Sequence, residues 1–168
     1  MAAATPPTDA LSGELVRRLF EVVNERDVDA LREFWTPQTI ERFPDGTCQG
    51  ADAIAAYFAA AFGALPDWHM RVVSIVERGE DVFVRWHLTG THTGGPFQGI
   101  EPTGRAVALD GFDHFVVRDG VVATNFVVFD QMQFARQIGL LPRDGSRADR
   151  ALKAAFNART RLARRLRR

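Results

Sequence analysis

Apolar positions along this chain change their period once, and that change organises the expected fold. Leu15, Leu19, Val22 and Val23 recur at helical spacing, and Asp27 opens a shorter helical pattern through Val28, Leu31, Phe34 and Trp35. Pro37 predicts the end of that second helix. Pro44-Asp45-Gly46 predicts a turn, leaving room for one short strand over residues 39–43. Gly50 then precedes an alanine-rich stretch with Ile54, Tyr57, Phe58 and Phe62 on one side, a third helix that Gly63 should close.

From Trp68 the period becomes two. Val82, Val84, Trp86 and Leu88 share one face, and Phe83, Arg85, His87 and Thr89 the other, so the first set is predicted to meet the helices. Residues 105–117 and 121–129 complete a meander through the turn Arg118-Asp119-Gly120. Three early helices followed by an antiparallel sheet predict an α+β fold. Twisted around the helices, the sheet makes a cone-shaped barrel whose open end is a ligand cavity. The partition expected is a flexible start over residues 1–11, one domain over 12–141, and a basic helical extension over 142–168, entered through Arg143-Asp144-Gly145-Ser146. Leu152, Ala155, Phe156, Leu162 and Leu166 form a thin apolar stripe on that last helix.

Composition narrows the function classes. A chain of 168 residues with 46% hydrophobic and 25% charged side chains supports one domain with a sizeable core. Lys and Arg number 21 and Asp and Glu 21, so the whole molecule has no electrostatic case for nucleic acid, although its tail is strongly basic. Cys48 is the only cysteine, which excludes an intrachain disulfide and makes a reducing, cytoplasmic setting the expectation. The first residues lack a basic start and a continuous apolar run, and no segment approaches the roughly 18 apolar residues of a membrane span. No export or membrane partner is expected.

Between the predicted strands lies a long loop rich in glycine and proline, the composition of a shaped connection. It holds Gly90-Thr91-His92-Thr93-Gly94 and Gly99-Ile100-Glu101-Pro102-Thr103-Gly104-Arg105. Arg118-Asp119-Gly120, Asp130 and Arg136-Gln137-Ile138-Gly139 follow in order. This series resembles the SnoaL-like polyketide cyclase family of the nuclear transport factor 2-like superfamily, over about Leu15 to Leu141. The resemblance implies the cone fold. Its members include aldol cyclases, hydroxylation partners, isomerases, epoxide hydrolases and proteins with no known activity, so it fixes the fold more firmly than the reaction.

In the cyclases that the chain resembles, an Asp on the last strand acts as general acid and base. Anchored on Asp119-Gly120 and Asp130, that position falls on Val127, which cannot transfer a proton. The resemblance carries a pocket His onto Asp113 and a pocket Asn onto Glu41. Strand alternation points Gly111, Asp113, Phe115 and Val117 inward, with Asn125, Val127 and Phe129. The candidate catalytic set is therefore Asp113, Asn125 and His92, a carboxyl beside an amide and a histidine that titrates near neutrality. Glu41, Trp86, Phe115, Val127 and Phe129 are the candidate substrate-binding set.

Each of these has a plainer reading: Asp113 a hydrogen-bonded strand carboxylate, Asn125 a satisfied buried amide, His92 a structural part of its loop, Glu41 exposed charge beside Arg42. Asp130 and Gln137 read as structural. His69, His87 and His114 show no zinc-type spacing with Cys48, and neither a metal nor a cofactor is expected. The leading expectation is a cofactor-independent cyclase or isomerase of secondary metabolism, acting on a small hydrophobic polyketide- or terpenoid-like molecule. A non-catalytic ligand-binding or accessory domain is the alternative, as is an epoxide hydrolase in which Arg85 or Arg105 joins the carboxylates. Two aromatic-bearing faces along residues 82–88 predict a homodimer joined through sheet faces, with His114 turned toward the subunit contact.

Overall fold

The computed structural model describes residues 8–167. The expected flexible start over residues 1–11 therefore falls largely outside the described residues, and helix α1 (Thr8–Glu25) is recorded from Thr8. Its Val16, Leu19, Phe20, Val22 and Val23 are buried, as their spacing requires. Asn24 ties the helix to the sheet by a two-way clamp on Met70, donating to the carbonyl at 2.8 Å and accepting from the amide at 2.7 Å.

Helix α2 (Val28–Leu31) is a single turn capped by Asp27, whose carboxylate accepts from the amides of Asp29 and Ala30. A 3-10 turn follows, and strand β1 (Trp35–Phe43) begins before Pro37 rather than after it. The proline sits where the register between β1 and its neighbour slips, a bulge that leaves its missing N–H without a ladder position to fill. Thr39 locks the bulge by donating to the Val122 carbonyl at 2.6 Å. Strand β2 (Gly46–Gln49), which the sequence pattern does not predict, closes a hairpin with β1. Helix α3 (Ala51–Ala64) follows Gly50 as expected.

Strands β3 (His69–Arg78), β4 (Asp81–Thr91), β5 (Ala106–Arg118) and β6 (Val121–Phe129) form the antiparallel meander. The sheet order is β2-β1-β6-β5-β4-β3, and the β1–β6 pair is parallel. The expectation of a wholly antiparallel sheet is thus corrected. The last strand does not lie at an edge but between the first strand and the rest, which draws β1 into the interior of the sheet. The fold is the expected α+β cone, with α1 and α3 on the concave face.

The loop over residues 92–105 is anchored at both ends. His92 and Arg105 pair through the His92 amide at 2.9 Å, and the Gly104 amide returns to the His92 carbonyl at 2.8 Å. Gly94 and Gly95 donate to the carbonyls of Ala64 and Gly63 at the end of α3. A Cβ at Gly94 would lie 1.8 Å from the Gly63 oxygen, so only glycine permits this approach.

Asp130 caps helix α4 (Gln131–Gln137), and Gln137 clamps both backbone groups of Ala108 at 2.7–2.8 Å, the structural roles read from the sequence. Helix α5 (Arg147–Leu166) forms the extension. Its approach is less free than a hinge. Asp149, capped to the Gly145 amide, makes ion pairs with Arg136 and Lys153, and Asp144 joins both cations. No helix among the described residues is long and apolar enough to cross a membrane.

Candidate functional site

Three adjacent strands carry the polar part of the cavity. Glu41 on β1 stands opposite Asn125 on β6, and Asp113 on β5 stands opposite Val127 on β6. All four project from the concave face. Glu41, Asp113, Asn125, Trp86, Phe115, Val127 and Phe129 line one cavity, so the structure brings together every candidate residue except His92. His92 is buried at the base of its loop, with Nδ1 3.5 Å from the Thr103 hydroxyl, and is not part of the cavity lining. Its prominence in the sequence reflects the closing of the loop.

The plain reading of Glu41 as exposed charge is also corrected. It is 1% exposed, because β2 and not β1 forms the sheet edge. His114 faces outward, as the alternation predicts, stacked on Phe83 and 2.7 Å from the Asp81 carboxylate.

Asp113 is held from the side. The Trp86 indole N–H donates to Asp113 Oδ1 at 3.0 Å within the buried wall. This arrangement depends on the residue two positions before Asp113. A Cβ at Gly111 would fall 2.1 Å from the Trp86 ring, so glycine lets the indole lie across β5 and reach the carboxyl. Asn125 stands close to both carboxyls.

Burial dominates the electrostatics. Desolvation pushes Glu41 from 4.5 up to about 8, with the nearby Asp113 charge adding to the rise and the Asn125 amide and Trp35 indole opposing it. Desolvation likewise raises Asp113 from 3.8 to about 7, against the hydrogen-bonding of Trp86 and Asn125. Near neutral pH the pair therefore retains a proton, with one carboxyl able to donate and the other to accept. Glu41 Oε2 and Asn125 Oδ1 are buried without a hydrogen-bond partner, two polar atoms left available within the cavity.

The rest of the lining is hydrocarbon and aromatic. Tyr57 stacks on Phe43 with centroids 3.8 Å apart, and Phe97, delivered by the long loop, meets Tyr57 at 6.2 Å and Phe134 at 6.1 Å. Tyr57 and Phe58, read from the sequence only as one side of the third helix, and Phe97 and Phe134, which sequence reasoning did not single out, also line the cavity. Their helical or loop setting carries no alternation that separates a cavity wall from a packed interior. The enclosed space is about 70 Å³, below the roughly 300–1,000 Å³ of ligand clefts in general. No arginine lines it among the described residues. Arg85 projects from the convex face toward Asp110, and Arg105 lines a separate groove beside α4. The carboxylate–arginine–carboxylate set of an epoxide hydrolase is thus not assembled.

A curved sheet wrapped around helices, with polar groups at the bottom of an apolar cone, places the molecule in the nuclear transport factor 2-like class of folds. The SnoaL-like polyketide cyclase family model matches residues 13–138, and the chain belongs to that family. Among solved structures, a protein assigned as a SnoaL-like polyketide cyclase from Jannaschia sp. CCS1 is 27% identical, with a TM-score of 0.74 over 84% of this chain and 100% of that one. IdmH from Streptomyces antibioticus, provisionally assigned as a polyketide cyclase, is 25% identical, with a TM-score of 0.64 over 76% of this chain and 98% of its own. AclR from Streptomyces galilaeus, provisionally assigned as a hydroxylase, shares the fold at 23% identity, with a TM-score of 0.71 over 95% of this chain and 98% of that one. No curated protein matches the chain significantly.

Proposed function

We propose that this protein is a cofactor-independent acid/base enzyme that cyclises or isomerises a small hydrophobic substrate of polyketide or terpenoid type. The observation that carries the reading is the pair of buried carboxyls, Glu41 and Asp113, beside Asn125 in an otherwise apolar cavity. The family's acid position falls on Val127, and Val127 is the cross-strand partner of Asp113. Directly opposed residues on neighbouring strands hold their Cβ atoms about 5 Å apart. The carboxyl has therefore moved by one strand and still serves the same part of the cavity.

In this mechanism the Asp113 carboxylate, positioned by Trp86, takes a proton from carbon next to a substrate carbonyl. Glu41, still protonated near neutral pH, hydrogen-bonds the developing enolate oxygen, and Asn125 keeps the two carboxyls in register. The enolate carbon then bonds to a second carbonyl carbon for ring closure, whose C=O π pair moves to oxygen and takes the proton held by Asp113, or the enolate carbon is reprotonated by Asp113 for isomerisation. Admission of a ring system requires the cavity of about 70 Å³ to widen. The reading includes a cytoplasmic homodimer joined through the convex sheet face, where Phe83, Phe112, Phe126 and Val128 are exposed.

The test is solvent deuterium exchange into a panel of enolisable polycyclic ketones, followed by NMR. Exchange should be accelerated by the protein and fall by about 10²-fold or more in Asp113→Asn. Exchange at the buffer rate with every ketone, or exchange indifferent to that substitution, refutes the mechanism. A ligand-binding domain without turnover is the second reading, favoured by Val127 itself. It requires that a ketone bind with no exchange.

A further inference from the structure

The chain is divided electrically in a way that its zero net charge hides. Residues 147–168 carry nine basic side chains against one acid, Asp149, whereas residues 1–146 carry twelve basic side chains against twenty acids. Over residues 151–167 every residue is exposed except Thr160, and the exposed set includes Leu152, Phe156, Leu162 and Leu166 along one stripe. A helix in this state leaves both an apolar and a cationic face unpartnered.

Its root is nevertheless tied to α4. Arg136 pairs with Asp149, 4% exposed in its side chain, and with Asp144, while Lys153 and the Ser146 cap act within the first turns of the helix itself. With its root latched in this way, a helix of 20 residues extends about 30 Å from the anchor. It does not return to its own domain.

We propose that α5 is an arm that docks on the acidic domain surface of a second copy of this chain. Charge complementarity selects the partner: the arm carries an eight-charge excess, and another copy's body carries the opposite sign, six charges once the buried Glu41 and Asp113 are set aside. Two arms side by side repel, and an anionic membrane attracts the arm but repels the body. The stripe supplies the apolar contact, since Leu152, Phe156, Leu162 and Leu166 are all exposed along it. This inference is independent of the proposed chemistry and adds to the sheet-face contact.

The experiment places the photocrosslinking residue p-benzoylphenylalanine at position 156 of the full chain, in a mixture of isotope-labelled and unlabelled protein at micromolar concentration. The expected result is a covalent product of twice the chain mass. Its crosslinked peptide should lie within residues 8–146 of the other isotope, and its yield should fall several-fold between about 50 mM and about 500 mM salt. In parallel, Phe156→Asp with Leu162→Asp, both exposed positions, should weaken self-association at least about tenfold by sedimentation, with an unchanged circular dichroism spectrum. Crosslinks within one chain, arm-to-arm crosslinks or no product overturn the proposal. So do unchanged association of the double variant, and wild-type binding to phosphatidylglycerol vesicles without a crosslinked pair.

Discussion

Replacing Glu41 by Gln should make the protein more stable at high pH, by an amount that the buried site sets. The native state keeps Glu41 protonated up to about pH 8, whereas its ordinary value is 4.5. Below about pH 4 both native and unfolded chains hold the proton, and the group contributes no pH dependence. Between those two values the unfolded chain ionises and the native chain does not, so stability falls as pH rises and levels off above about 8. Each pKa unit is worth about 1.4 kcal/mol, so the penalty accumulated by pH 9 is about 5 kcal/mol, of which about 4 kcal/mol accrues between pH 5 and pH 9. The amide has nearly the same shape and no charge, and it removes this slope. Asp113 carries its own slope in both proteins and cancels to first order in the comparison.

The assay is thermal unfolding of wild type and Glu41→Gln from pH 5 to pH 9. For a chain of this size about 2–4 °C accompanies each kcal/mol, so the gap in favour of the variant should widen by roughly 10 °C across the range. Two parallel melting profiles, separated by a constant offset of any size, refute the reasoning. They would mean that Glu41 ionises in the native state as it does in water.

Gly111→Ala should destabilise the protein by about 1–3 kcal/mol, because its Cβ lands 2.1 Å from the Trp86 ring. A shift in tryptophan emission should report displacement of the indole from Asp113, and unchanged emission and stability would contradict the packing described. Phe112→Asp, on the convex face where Phe112 is exposed, should leave the fold intact and convert the proposed dimer to a weaker assembly by light scattering. An unchanged mass would place the subunit contact elsewhere.

What the sequence made legible follows the range of the interactions involved. Alternation along β5 and β6 is a local property, and it correctly orients Asp113, Asn125, Phe115 and Val127 inward and His114 outward. The helix cap Asp27 acts within three residues and was equally readable, and Asp130, read as structural, caps α4 over the same short range. The burial of Glu41 was legible only through the family resemblance, because it depends on the parallel pairing of β1 with β6, and nothing in Glu41-Arg42 or its neighbours records that partnership. Pro37 misled for a related reason: the helical segment has already ended by Phe34, and the proline sits in a bulge of β1 rather than at a helix end. His92 drew a chemical reading from a motif whose work is done by backbone amides and carbonyls, which every residue type possesses. The aromatic part of the lining escaped because Tyr57 and Phe58 sit on a helix face, where an apolar side chain facing a cavity has the same spacing as one facing a packed core.

The position of β6 between β1 and β5 also has a kinetic meaning. Thr39 and Val122, which lock the first strand to the last, are 83 residues apart in the chain. On a ribosome the β1–β2 hairpin emerges early and waits with one edge unpaired while α3 and the long meander are made. Its closure is a slow, high-separation event, since loop entropy must be overcome before the pairing rewards it. Glu41 enters its apolar surroundings only at that final step. Until then it remains a hydrated carboxylate, so the charge that would be costly in the finished cavity keeps the waiting strand soluble during synthesis.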